Sequence, residues 1–185
     1  MSETANVVYA KPKKAGPIYH APLGSTLPTD AATELDAAFV SMGYVSEDGL
    51  TNSNSPETSD IKAWGGDVVM SPMTGRPDTF SFTAIEGVGI ETLKVVYGGD
   101  NATGALSTGV TVKASTAAME NECYVIDMVL RGGILKRIVI PNAAVTSVGD
   151  VSYKDSEAVG YEITLTAYPD ESGYTHYEYM KGATA

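Results

Sequence analysis

Polar and apolar side chains alternate with period two over Asp78-Thr79-Phe80-Ser81-Phe82-Thr83-Ala84. A strand there sends Phe80, Phe82 and Ala84 to one face and Thr79, Ser81 and Thr83 to the other. Tyr161 to Ala167 repeats the device with Glu162, Thr164 and Thr166 as its polar row. Cys123 to Leu130 and Ile134 to Ile140 are β-rich runs flanking Arg131-Gly132-Gly133, whose glycines permit the positive φ of a tight hairpin. Further strands are predicted at Gly43 to Ser46, Ile61 to Trp64, Asp67 to Ser71, Gly109 to Ala114 and Tyr174 to Met180. Helical periodicity is confined to two places. Ile90, Leu93 and Tyr97 fall at i, i+3 and i+7 within residues 89–97, and Gly98-Gly99 supplies the stop. A second, shorter helix is predicted over Thr33 to Phe39, capped by Thr29 or Asp30.

Three segments resist burial. The arm 1–16 contains Asn6-Val7-Val8-Tyr9 but also Lys11-Pro12-Lys13-Lys14, which cannot pair continuously as a strand. A polar loop is predicted over 47–60, since Thr51 to Asp60 holds no large apolar side chain, and Ser71 to Pro77 is punctuated by proline and glycine. No linker or internal repeat divides the rest, so 17–185 reads as a single mainly β domain.

Composition narrows the function. Twelve Lys and Arg against 23 Asp and Glu leave a net charge of −11 among 185 residues. Phosphate grip draws on cations that displace counterions, so specific nucleic-acid binding is disfavoured, as is docking on anionic lipid. The charge is uneven: residues 28–60 hold Asp30, Glu34, Asp36, Glu47, Asp48, Glu57 and Asp60 with no base. The opening residues lack an apolar stretch behind a basic end, and no run approaches a membrane span, so synthesis in a cytosol is expected. One cysteine, Cys123, allows no internal disulfide, and with two distant histidines no zinc site is expected.

Catalytic constellations are missing from the chain. There is no Gly-x-Ser-x-Gly, no Walker-type lysine, no His-Glu-x-x-His and no EF-hand loop. Gly87-Val88-Gly89 begins a dinucleotide fingerprint, but Thr92 stands where the third glycine belongs. Cys123 lies in an apolar strand and reads as a small buried hydrophobe, and His20 and His176 read as packing or surface residues. Tyr174, Tyr177 and Tyr179 suit a half-buried strand face better than a stacking platform. No enzyme and no cofactor is expected.

A larger pattern lies in the order of the pieces. Gly16-Pro17-Ile18-Tyr19-His20-Ala21-Pro22-Leu23-Gly24-Ser25-Thr26-Leu27-Pro28-Thr29-Asp30 is followed by Leu35-Asp36-Ala37-Ala38-Phe39, then Gly43-Tyr44-Val45-Ser46-Glu47-Asp48-Gly49-Leu50, then Ile61-Lys62-Ala63-Trp64-Gly65-Gly66-Asp67. This order and spacing resembles the major tail tube proteins of long-tailed, non-contractile bacteriophages, most clearly over residues 16–70 and loosely as far as Tyr97. The resemblance implies a β-sandwich or barrel of two packed antiparallel sheets with a flanking helix. It implies hexameric rings that stack into a tube, with one sheet of each subunit lining a channel that DNA traverses without specific binding. Tape measure, tail terminator and distal tail or baseplate proteins are the implied partners, in a virion tail assembled in the bacterial host; membrane binding is not. Some relatives carry a further immunoglobulin-like domain, for which this chain shows no room.

On that reading, contacts between subunits and rings are expected from Asn6, Val7, Val8 and Tyr9 of the arm and from Asp48, Leu50, Asn52, Asn54, Pro56 and Asp60 of the loop. The rows Thr79, Ser81, Thr83 and Glu162, Thr164, Thr166 are the candidates for the channel wall; as wet faces they would equally suit the outer surface. The alternative is a small carbohydrate-binding β-sandwich using Trp64 and the tyrosine-rich last strand. A hydrolase built on scattered carboxylates ranks third, since no pair has a recognisable spacing.

Overall fold

The computed structural model describes residues 3–182. Fifteen strands follow in chain order: β1 (Ala10–Pro12), β2 (Ile18–Pro22), β3 (Val40–Ser41), β4 (Val45–Ser53), β5 (Glu57–Thr58), β6 (Ile61–Lys62), β7 (Val68–Met70), β8 (Met73–Gly75), β9 (Asp78–Ala84), β10 (Ala102–Ala105), β11 (Gly109–Val112), β12 (Glu122–Leu130), β13 (Ile134–Val148), β14 (Tyr161–Ala167) and β15 (Tyr177–Lys181). One α-helix, α1 (Ile90–Tyr97), lies between β9 and β10. The protein is mainly β, its sheets are antiparallel, and the described residues hold a single α-helix.

The main sheet has nine strands in the order β3-β2-β12-β13-β14-β9-β4, with β1 added on β12 and β15 on β13. β13 makes its corner. Its first half pairs with β12 and β15, and from Ala143 onward it pairs with β14. Pro141 lies at the change, where the β12 register slips, because a proline cannot donate to the ladder. A strand that changes partners in mid-course lets the sheet turn over its own core.

Burial follows the alternation. Phe80, Phe82, Ile163 and Leu165 are buried together with Ile126, Ile138 and Ile140, and α1 covers them with Leu93, Val95 and Val96. The opposite faces of β12 and β13 enter a second cluster of Cys123, Val125 and Val139, closed by Phe39, Leu35, Tyr177 and Tyr179. Both faces of these central strands are dry, so their sequences read as unbroken apolar runs. Each such side chain contributes about 1.5–3 kcal/mol by leaving water.

The predicted helix over Thr33–Phe39 is absent; residues 31–38 form bends and a turn. The carboxylate of Asp30 accepts from the Ala32 and Thr33 amides as a cap would, but the Arg137 guanidinium takes the carbonyls of Asp30 and Thr33 at 3.0 and 2.9 Å. Those carbonyls are the acceptors a first helical turn needs. The polar loop over 47–60 is also corrected. Residues up to Ser53 complete β4, and β5 and β6 continue as the outgoing limb of a long hairpin that β7 and β8 bring back to β9. Polarity there reflects a strand wetted on both sides. The arm pairs briefly as well, Ala10–Pro12 on Met128–Leu130.

Candidate assembly surfaces

The two polar rows lie side by side. Thr79, Ser81 and Thr83 on β9 stand opposite Thr166, Thr164 and Glu162 on β14, and residues opposed in an antiparallel ladder share a face. Ser81 and Thr164 place their hydroxyl oxygens 3.0 Å apart. The face widens on both sides beyond what the sequence pattern indicated. Thr51 and Ser53 of β4 oppose Ser81 and Thr79, and on β13 Thr146 lies 2.8 Å from the Thr166 hydroxyl while Ser147 opposes Thr164. Thr146 sits in a register shift between Val145 and Ser147, a bulge that a strict alternation count does not find. Glu162 is the one acid among these opposed residues; its side chain is exposed, and its carbonyl accepts the Gly149 amide. The patch is therefore hydroxyl-rich and free of cations.

The hairpin from Asn54 to Pro77 projects from the Asp78 end of the sheet. Nearly all of it is exposed, including Ile61, Val68, Val69, Met70 and Met73, and at its tip the Trp64 side chain is wholly exposed, at 107% of its reference area. Gly65 and Gly66 take positive φ there, and the tip closes with the Ala63 amide donating to the Asp67 carbonyl at 2.8 Å. Among the residues expected to make contacts, Asp48, Pro56 and Asp60 are exposed, with Asp60 accepting from the Ser71 hydroxyl at 2.6 Å. Asn54 is half-buried and accepts at its carbonyl from Arg76. Leu50 turns inward instead, and Asn52, although exposed, is engaged by its own sheet. Leu50 packs on the core, and the Asn52 amide donates to Asp78 and to the Thr79 carbonyl. In the arm, Asn6, Val7, Val8 and Tyr9 are exposed, and Tyr9 is tethered through its carbonyl to the Arg131 amide.

Titratable groups inside the fold are occupied by each other. Asp78 is buried and accepts from Asn52 at 2.8 Å and Thr175 at 2.6 Å, with His176 Nδ1 at 2.5 Å. Burial raises its pKa, but these hydrogen bonds outweigh it and hold the carboxyl below its ordinary value. His20 is buried between Glu122, 3.1 Å away, and Glu91, 3.5 Å away. Cys123 is buried with its thiol donating to the Pro141 carbonyl, and burial pushes its pKa up, away from the reactive thiolate. The Tyr177 phenol donates to Asp170 at 2.6 Å, which raises its pKa to about 12. Its ring stacks on Tyr179, so these tyrosines pack within the fold. Among the described residues no group of three or more His, Cys, Asp or Glu is placed to hold a metal ion.

A mainly β chain whose buried charges are paired with one another, and whose exposed features are a long apolar-tipped hairpin and a hydroxylated sheet face, has the make-up of a structural, assembling protein. The family model described as "Phage tail tube protein" matches residues 5–184, and the chain belongs to that family. It is thus a structural component of a virion tail, not an enzyme. No curated protein sequence matches it. Among solved structures, the cryo-EM structure of the anti-feeding prophage cap, a tube-terminating cap, is similar with 13% identity and a TM-score of 0.42, over 99% of this chain and 100% of that one.

Proposed function

We propose that the protein assembles as homo-oligomeric, hexameric rings that stack into the tail tube, and that the hydroxyl-rich face of β4, β9, β14 and the end of β13 lines the channel for DNA. The observation that carries this is the composition of the opposed rows of that face: hydroxyls with one carboxylate, Glu162, and no cation. A wall without Lys or Arg gives phosphates no counterion-release energy, so DNA slides without adhering. Six copies of a chain of net charge −11 bring a formal charge of about −66, which adds repulsion. The hairpin 54–77 and the arm 1–16 make the contacts between subunits and rings, and their backbones gain partners there that a monomer cannot supply. The tape measure, terminator and distal tail proteins meet the two ends of the stack.

Negative-stain microscopy of the concentrated protein, with and without a tail assembly initiator, tests the assembly. Rings or tubes are expected; monomers under both conditions overturn the proposal. Glu162→Lys tests the channel face: assembled tails carrying it should eject DNA more slowly, and unchanged infectivity would move this face to the outside of the tube. A glycan-binding role is favoured only by the exposed Trp64. Titration with glycans, followed by the emission of this single tryptophan, should give no change.

A further inference from the structure

At the end of β9 opposite the hairpin lies an open apolar cavity of about 460 Å³, walled by Val88, Tyr97, Leu106, Val112, Tyr153 and Tyr161 among others. Val88, Leu106 and Tyr153 are each more than 60% exposed on its rim. A side-chain wall of this kind in water is an unfinished contact. The hairpin leaves the sheet at Asp78, whereas the cavity begins just past Ala84, where Ile85 enters its wall. Seven residues of extended β9 separate the two by about 20 Å. The tip is carried further still from its own cavity, because the hairpin continues the β4–β9 ladder outward. Knob and hole therefore sit at opposite ends of one chain.

We infer that the Trp64 tip of one copy seats in the Val88–Tyr153 cavity of the next. This rests on the stacked-ring reading and adds to it the acceptor surface. The wholly exposed Trp64 indole is the largest unpartnered apolar group on the hairpin, and the cavity is lined by the aliphatic and aromatic side chains that bury such a ring. Charge is not the source of this contact: the hairpin 54–77 carries Lys62 and Arg76 against Glu57, Asp60 and Asp67, so the attraction is that of the apolar tip for the apolar cavity. A tip-to-opposite-end contact is heterologous, with each copy offering one knob and one hole, and so repeats without limit along a tube.

The test uses the full chain. Ala63→Cys with Leu106→Cys places one thiol beside the tip and one on the cavity rim, while the native Cys123 stays buried. A short bis-maleimide added to assembled protein should give a ladder of covalent multimers from the double variant and no ladder from either single variant. Trp64 emission should move to shorter wavelength on assembly and become harder to quench with acrylamide. Trp64→Ala should raise the concentration needed for tubes by roughly 30-fold. Val88→Asp, at an exposed rim position, should do the same with an unchanged melting temperature. Tubes that form without the ladder and without the emission shift, or that tolerate both substitutions, overturn the inference alone. Failure of the wild-type chain to form rings or tubes overturns the stacking reading and the inference with it.

Discussion

Arg137 grips Asp127 across β12 and β13 with two parallel hydrogen bonds, Nε to Oδ1 at 2.6 Å and Nη2 to Oδ2 at 2.9 Å, both side chains being buried. The remaining guanidinium nitrogen holds the carbonyls of Asp30 and Thr33, so one side chain joins the sheet to the segment that closes the second apolar cluster. Removing one partner of such a pair strands a buried charge, whereas removing both does not. Arg137→Met is expected to cost about 3–5 kcal/mol in urea melts. The double variant Asp127→Leu/Arg137→Met should lose less than the single one, although the Asp30–Thr33 loop stays untethered. A double variant less stable than Arg137→Met alone would contradict this account.

Asp78 gives the protein a defined acid limit. Its carboxyl titrates below the ordinary value of 3.8 in the folded state, because hydrogen bonds from Thr175, Asn52 and His176 outweigh burial. A depressed folded pKa contributes stability that is whole above the unfolded value and is lost as pH falls through the folded one. The wild type should therefore lose stability relative to Asp78→Asn as pH drops below about 4. At neutral pH the variant should be the weaker by about 1–3 kcal/mol. Chemical melts of both proteins from pH 7 to pH 3 check the sign: the gap should narrow on the acid side, and a constant gap would remove Asp78 from the acid response.

How far the sequence discloses the fold depends on how many faces of each strand are wet. β9 and β14 have one dry and one wet face, so Phe80 against Ser81 and Ile163 against Thr164 mark both the strand and its polar side. The helix is legible because Leu93 and Tyr97 repeat on a single stripe ended by Gly98. The hairpin limbs are wet on both faces, so Asn54 to Asp60 carries no alternation, and pairing there is specified by the ladder it continues. The lost helix after Asp30 is a tertiary effect. Asp30 and Leu35 are sound helix signals, overridden by an arginine more than a hundred positions away. The two polar rows are readable, but their extension to Thr146 requires a bulge, and the partnership of Asn52 with Asp78 requires the β4–β9 register.

Two glycines near the start of β4 separate backbone strain from collision. Gly43 and Gly49 both have positive φ, +84° and +71°, but a Cβ on Gly43 would lie 2.2 Å from the Glu86 carboxyl carbon, while one on Gly49 meets nothing within 4 Å. The Glu86 carboxylate accepts the Tyr44 amide at 2.9 Å, so it cannot retreat without breaking that bond. Gly49→Ala should cost about 1 kcal/mol, the strain of a left-handed alanine. Gly43→Ala should cost clearly more, about 2–3 kcal/mol, as strain and a lost hydrogen bond combine. Equal thermal shifts for the two variants would show that Glu86 yields freely.

The hairpin should be dispensable for folding and indispensable for assembly. Between Pro56 and Gly75 its residues are exposed, and the buried residues of both apolar clusters lie outside it. Replacing 55–77 by Asn-Gly leaves β4 and β9 joined in their own register by a two-residue turn of the type that matches strand twist. Since the segment removes little apolar area from water in the monomer, the shortened chain should melt within about 0.5 kcal/mol of the full one. It also sheds the exposed Val68, Val69, Met70 and Met73, so it should be the more soluble of the two. Sedimentation should find it monomeric at concentrations where the full chain forms tubes. A shortened chain that unfolds would make the hairpin part of the fold; one that still builds tubes would transfer the stacking contact to the arm.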